Sequence, residues 1–130
     1  MRKPKYRAWI KDGNRMLPVG DLDMSYKLVY LEENNGYRCE RNFDEVDLME
    51  FTGLKDKNDV EIYEGDIVRY IDGDKEILCP VRYIEKYACF GVEWGHDLSA
   101  TFEHLESFYI KPHNFEVVGN IYENKDLLGE

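Results

Sequence analysis

Gly53, the charged run Asp56-Lys57-Asn58-Asp59 and Gly65 interrupt the stretch from Met49 to Val68, and so cut it into short extended pieces. Apolar residues recur at Leu48 and Phe51 and again at Val60 and Ile62, on either side of the charged run. This is the pattern of two β-strands joined by a turn. Asp and Asn can close such a turn with their own side chains. Glu64-Gly65-Asp66 then separates Val60–Tyr63 from the β-branched pair Ile67-Val68, and Gly65 tolerates a positive φ that other residues resist. The expected order is strand, loop, strand, turn, strand. Asp66 is expected to accept backbone hydrogen bonds at the bend, so that Ile62 and Ile67-Val68 enter the core.

The rest of the chain reads as mostly extended. Tyr6–Ile10 is a predicted strand, and Asp12-Gly13-Asn14 a tight turn that returns the chain through Arg15-Met16-Leu17. A second hairpin is expected to pair Tyr26–Leu31 with Gly36–Cys39. After the turn Asp72-Gly73-Asp74 come strands near Glu76–Ile84 and Ala88–Trp94, then Phe115–Asn120. Pro80 cannot donate to a ladder and is expected at an edge or a bulge. Phe102, Leu105 and Phe108-Tyr109 recur at helical spacing, with Ser99 or Thr101 as cap. A short helix is also expected from Asn124, stopped by Gly129.

The order Thr52-Gly53-Leu54-Lys55-Asp56, then Glu61-Ile62-Tyr63-Glu64-Gly65-Asp66-Ile67-Val68, and later Val118-Gly119-Asn120-Ile121-Tyr122-Glu123-Asn124, resembles the YopX family of bacteriophage and prophage proteins. The opening Tyr6-Arg7-Ala8-Trp9 is similar to that family's start. The resemblance implies a small β-rich phage-type protein of undefined activity, and it supplies no catalytic residues. Residue by residue, Gly53, Gly65, Asp66 and Gly119 are explained as turn and core positions.

A chain of 130 residues with 43% hydrophobic content can bury roughly two thirds of its unfolded surface, enough for a core without disulfides or metal. The expectation is a single all-β domain over residues 1–130, a small partly open barrel of SH3-like character with an added N-terminal hairpin region. No internal repeat or Pro/Ser-rich linker suggests a boundary. No long apolar run suggests a membrane span, and no apolar stretch follows the N-terminal basic residues as in a signal peptide, so a cytoplasmic location in a bacterial host is expected.

The formal charge is −10, which repels polyphosphates, yet residues 1–15 carry Arg2, Lys3, Lys5, Arg7, Lys11 and Arg15 against Asp12 alone. The densest acidic stretch runs from Glu32 to Asp66. The basic strand is read as solvated or lying against the acidic middle of its own fold. Alternatively, it meets the acidic middle of a second copy in a homo-oligomer, or forms a basic arm for nucleic acid. Mimicry of DNA by the acidic surface is a further reading. The ten Tyr suit pleated, half-buried surfaces; as exposed stacking rings for nucleobases, Tyr63, Tyr70, Tyr83 and Tyr87 are the candidates.

For chemistry, Asp21/Asp23 and Glu64/Asp66 place paired carboxylates on one face of a strand, and Glu93-Trp94-Gly95-His96-Asp97 sets a His near two carboxylates. With 27 acidic residues such pairs arise by chance, and turns and solvation explain them. Cys39, Cys79 and Cys89 are read as reduced thiols rather than as zinc ligands with His96, His104 and His113, because no two ligands have Cys-x-x-Cys or His-x-x-x-His spacing. No cofactor and no enzymatic activity is expected. The chain reads as a phage or prophage accessory protein acting through protein contacts or self-association. The alternative is a nucleic-acid-binding module, with Lys3, Lys5, Arg7, Tyr63 and Tyr70 as candidate partner-binding residues.

Overall fold

The computed structural model describes residues 4–85, 88–94, 98–101 and 115–129. Contacts along the chain group into two compact units, Met1–Phe51 and Thr52–Glu130. Both units are built from antiparallel strands, as the all-β expectation required. Among the described residues neither sheet closes into a barrel.

The first unit contains β1 (Tyr6–Ile10), β2 (Arg15–Asp23), β3 (Leu28–Glu32), β4 (Arg38–Asn42) and most of β5 (Val46–Lys55), in the sheet order β4-β3-β2-β1-β5. Alternation places Ala8, Ile10, Leu17, Val29, Leu31 and Val46 in one buried cluster. Register explains why they meet: Ala8 lies opposite Leu17 on one neighbour and Leu48 on the other, and Ile10 lies opposite Val46. β1 has the predicted bounds. β3 begins at Leu28 rather than Tyr26, because the Asp23 side chain accepts the amides of Ser25 and Tyr26, both at 3.0 Å, and holds residues 24–27 as a turn.

The second unit continues β5 past Phe51, pairs it with β6 (Glu61–Tyr63), and adds β7 (Asp66–Asp72), β8 (Lys75–Ile84), β9 (Cys89–Trp94), β10 (Leu98–Thr101) and β11 (Phe115–Asn120). The last five form a sheet in the order β10-β9-β8-β7-β11. Ile62, Val68, Cys79, Val81, Phe90, Val92 and Phe115 form its buried cluster. Val60, expected to be a strand residue, instead sits half exposed in the turn before β6.

Pro80 is not at a sheet edge, since β8 is the central strand. It occupies the last register position against β7, opposite Ile67, while pairing with β9 starts one residue later at Val81↔Val92. The missing N–H therefore falls where β8 passes from one neighbour to the other. Ser99 and Thr101, the expected helix caps, lie in β10 opposite Glu93 and Gly91. The helix expected around Phe102–Tyr109 falls outside the described residues. The tail forms a single 3-10 turn, Lys125–Leu128, ended by Gly129 at φ +82° as expected.

Two sheet edges are chemically occupied. The bonds from Glu33 N–H to the Tyr37 carbonyl and from Phe43 N–H to the Lys27 carbonyl turn alternate β4 residues toward β3, so Arg38, Glu40 and Asn42 face outward. The Glu45 carboxylate accepts the Asn42 amide at 2.8 Å, and the Arg41 guanidinium donates to the Glu40 carbonyl at 2.9 Å. Beside β11, Lys57 N–H donates to the Phe115 carbonyl at 3.0 Å, and an Asp56 oxygen accepts the Val117 amide at 2.8 Å. Groups engaged in this way no longer template an incoming strand.

Candidate functional site

The most conspicuous residues of the sequence meet in the second unit, where the 52–68 segment abuts the 115–124 segment. Thr52 is fully buried; its hydroxyl donates to the Ile62 carbonyl at 2.7 Å and accepts the Leu54 amide at 3.2 Å. Between them Gly53 adopts φ +87°, a conformation open to glycine at little cost. These contacts tie β5 to β6 through a side chain.

Asp56 organises the next turn. Its amide donates to the Val60 carbonyl at 2.8 Å, and one carboxylate oxygen accepts the amides of Asn58 at 2.8 Å and Val60 at 2.9 Å. The other oxygen reaches the Val117 amide, so a single carboxylate closes a turn and anchors a strand 61 positions away. Only 5% of the residue is exposed, and these amides supply the donors that a buried carboxylate requires.

At the second bend, Asp66, 2% exposed, accepts the Tyr63 amide at 2.8 Å. Gly65 stands at φ +89°, its N–H donating to the Val81 carbonyl and its carbonyl accepting the Ile121 amide, both at 2.9 Å. The last bond joins the two sequence motifs directly. At the other end of that junction, a Cβ on Gly119 would lie 2.6 Å from Asn124 Oδ1 and 2.8 Å from Asn124 Cβ. Glycine is required there because that Asn124 oxygen accepts the Asn120 amide at 3.1 Å, while the Asn120 side-chain oxygen accepts the amides of Tyr122 and Glu123.

The residues that carry the resemblance are therefore among the residues that interlock. The family described as YopX protein matches residues 5–129. The chain belongs to the YopX family. Among solved structures it is similar to protein EF1440 from Enterococcus faecalis, with 27% identity and a TM-score of 0.63, covering 98% of this chain and 99% of that one. It also shares the fold of protein yopX from Bacillus subtilis, with 20% identity and a TM-score of 0.57, covering 95% and 96% of the two chains. No curated protein matches it.

In this YopX-family chain the basic N-terminal run is largely engaged within its own unit. Arg15 forms a forked pair with Glu33 at 2.7 and 3.1 Å, which raises the guanidinium pKa further. Lys11 approaches Asp47 at 3.8 Å and donates to the Asp44 carbonyl, and Asp12 meets Arg41 at 3.6 Å. Lys5 lies over the Phe51 ring at 5.4 Å, and Arg7 sits in β1, half buried, opposite Pro18 and Met49. Lys3 is outside the described residues. The first unit holds nine Lys and Arg against ten Asp and Glu; the second holds eight against seventeen and so carries nearly all the net charge.

The three described tyrosine candidates lie on three different strands, Tyr63 on β6, Tyr70 on β7 and Tyr83 on β8. Tyr70 packs on Phe115 with ring centroids 5.4 Å apart, Tyr63 is half buried in β6, and Tyr83 meets Phe90 edge-on at 5.3 Å. Tyr87 is outside the described residues. Of the paired carboxylates, Asp21 accepts the Leu22 amide, Asp23 caps the turn after β2, and Asp66 holds the β6–β7 bend. Cys39 lies in the first unit, whereas Cys79 and Cys89 lie in the second; burial pushes the Cys79 thiol up to about 12. The three His fall outside the described residues.

Sequence reading missed the reach of Asp56, which it placed only in a local turn. The spacing Asp56-x-Asn58-x-Val60 signals that turn; no local signal announces Val117. It also gave no weight to Met24 and Tyr26. They are 71% and 78% exposed on the β2–β3 turn, and Tyr26 lines a cleft of about 390 Å³ with Lys27, Asn42, Phe43 and Asp44.

Proposed function

We propose that this is a phage- or prophage-encoded accessory protein that works without catalysis, in the host cytoplasm, by side-chain contact with another protein. The observation that carries this reading is the β2–β3 turn. Met24 and Tyr26 hold large apolar surfaces in water, and Tyr26 lines a cleft together with Lys27, Asn42, Phe43 and Asp44. Aromatic and Met side chains beside a concavity are the usual anchors of protein contacts.

The surrounding chemistry supports the same reading. The motif carboxylates Asp56 and Asp66 are committed to backbone amides, and the outward face of β4 is partly occupied by Arg41 and Glu45. Contact by strand addition at β4 is thus less favoured than contact through side chains. The nucleic-acid alternative receives less support, since Lys11 and Arg15 already face carboxylates and Tyr70 packs on Phe115.

The test is capture of partners from the protein's own host by wild type and by the double variant Met24→Ser/Tyr26→Ser, with light scattering on each purified form to register self-association. Loss of a captured protein, or of dimer mass, in the folded double variant supports the assignment. Identical partners and identical mass in both forms overturn it.

A further inference from the structure

We infer that Asn35-Gly36, at the tip of the β3–β4 hairpin, is a site of spontaneous deamidation that turns this hairpin into a chemical clock for the protein's age. Of the Asn residues in the chain, Asn35 alone precedes glycine. The reaction begins when the Gly36 amide nitrogen attacks the Asn35 side-chain carbonyl carbon. A C–N bond forms, the C–NH2 bond breaks, and ammonia departs carrying the proton released by the Gly36 nitrogen. Water then opens either carbonyl of the five-membered imide, leaving aspartate or isoaspartate. No oxidant or reductant is needed.

Several features of the hairpin favour that step. Residues 34–38 are exposed, so water reaches the imide. Gly36 adopts φ +87°, and even a Cβ placed there would touch nothing within 4 Å, so no side chain from elsewhere crowds this position. Asn35 Oδ1 accepts the Tyr37 amide at 3.1 Å. This Asx turn folds the side chain back over its own backbone. One contact opposes the reaction: Gly36 N–H donates to the Glu33 carbonyl, but at 3.2 Å and in an exposed turn where water readily replaces that acceptor.

Other asparagines are held differently. Asn58 donates its side-chain amide to Glu116, and Asn120 donates to Glu123 while its oxygen accepts two backbone amides. Asn124 Oδ1 is engaged by the Asn120 amide against Gly119. Each is followed by a residue whose Cβ hinders ring closure.

The product changes the hairpin in two ways. A carboxylate appears two positions after Glu33, the partner of Arg15, and adds negative charge to a unit that is otherwise close to neutral. Isoaspartate also inserts a methylene into the backbone of the turn, displacing Tyr37 from its 2.8 Å bond with the Glu33 amide.

The experiment is storage of the purified full-length protein in mildly alkaline buffer at physiological temperature, with peptide mapping by mass spectrometry over time. Isoaspartate is labelled by its methyltransferase, and Asn35→Gln is aged in parallel. Deamidation localised to Asn35 should run several-fold faster than at Asn58, Asn120 or Asn124, with isoaspartate as the larger product. The acidic species should be absent from Asn35→Gln. Equal rates at all four asparagines, or an undiminished acidic species in Asn35→Gln, overturn the inference.

Discussion

Replacing Asp56 with alanine removes the acceptor shared by Asn58, Val60 and Val117, and the structure allows the loss to be apportioned. Asn58 and Val60 are exposed, so water takes over their amides and each bond loses only its net value of about 0.5–1.5 kcal/mol. The Val117 amide is half buried, and stranding it costs about 1–3 kcal/mol. Together the change should destabilise the protein by about 4 kcal/mol, a large part of the ~5–15 kcal/mol that holds a typical domain. Asp56→Asn separates the two roles. Its one remaining oxygen can close the turn, but its NH2 then faces the Val117 N–H, donor against donor, and about 2 kcal/mol should be lost. Urea unfolding followed by tryptophan fluorescence measures both values, and hydrogen exchange locates the effect at Val117. If Asp56→Ala costs under about 1 kcal/mol, or if Val117 exchanges at the wild-type rate, then the carboxylate does not anchor β11 and the reasoning fails.

Three further outcomes are expected. Gly65→Ala forces a Cβ onto a backbone at φ +89° and should cost about 1–2 kcal/mol, with Gly65→Val costing more; a melting temperature unchanged from wild type in both would refute the assigned bend. Gly119→Ala drives its Cβ to within 2.8 Å of Asn124 Cβ and should cost about 1–3 kcal/mol, part of which Gly119→Ala/Asn124→Gly recovers in chemical denaturation. Cys79 should resist alkylation at neutral pH while Cys39 and Cys89 react. The folded thiol stays protonated above its ordinary 9.0, whereas the unfolded one ionises, so stability should fall by up to about 1.4 kcal/mol per pH unit between 9.0 and about 12. Cys79→Val should flatten that slope relative to wild type, as read by denaturation at matched pH.

Much of the fold was legible in advance. β1 has its predicted bounds, the turns at Asp12–Asn14 and Asp72–Asp74 fall where Gly and Asx residues placed them, and Gly129 ends the tail helix. Each of these depends on residues within a few positions of one another. Tyr26 and Val60 were misread for a related reason: their apolar character suited a strand, but the neighbouring Asp23 and Asp56 carboxylates bound the local amides and made turns instead. Pro80 was misplaced because its tolerance depends on where one ladder ends and the next begins, which is a property of three strands.

The amino-acid order by itself determined that this chain is β-rich, where most of its strands and turns lie, and that Gly53, Gly65, Asp66 and Gly119 are architectural. Side-chain period and backbone tolerance are short-range properties, and the residues state them directly. Only the tertiary structure decided that Asp56 holds Val117, that Gly65 receives Ile121, that Arg15 and Lys11 are matched by Glu33 and Asp47, and that Met24 and Tyr26 stand exposed. Those outcomes depend on which donor meets which acceptor after distant strands have paired. Many carboxylates and amides are chemically equivalent in the sequence, and register alone chooses among them.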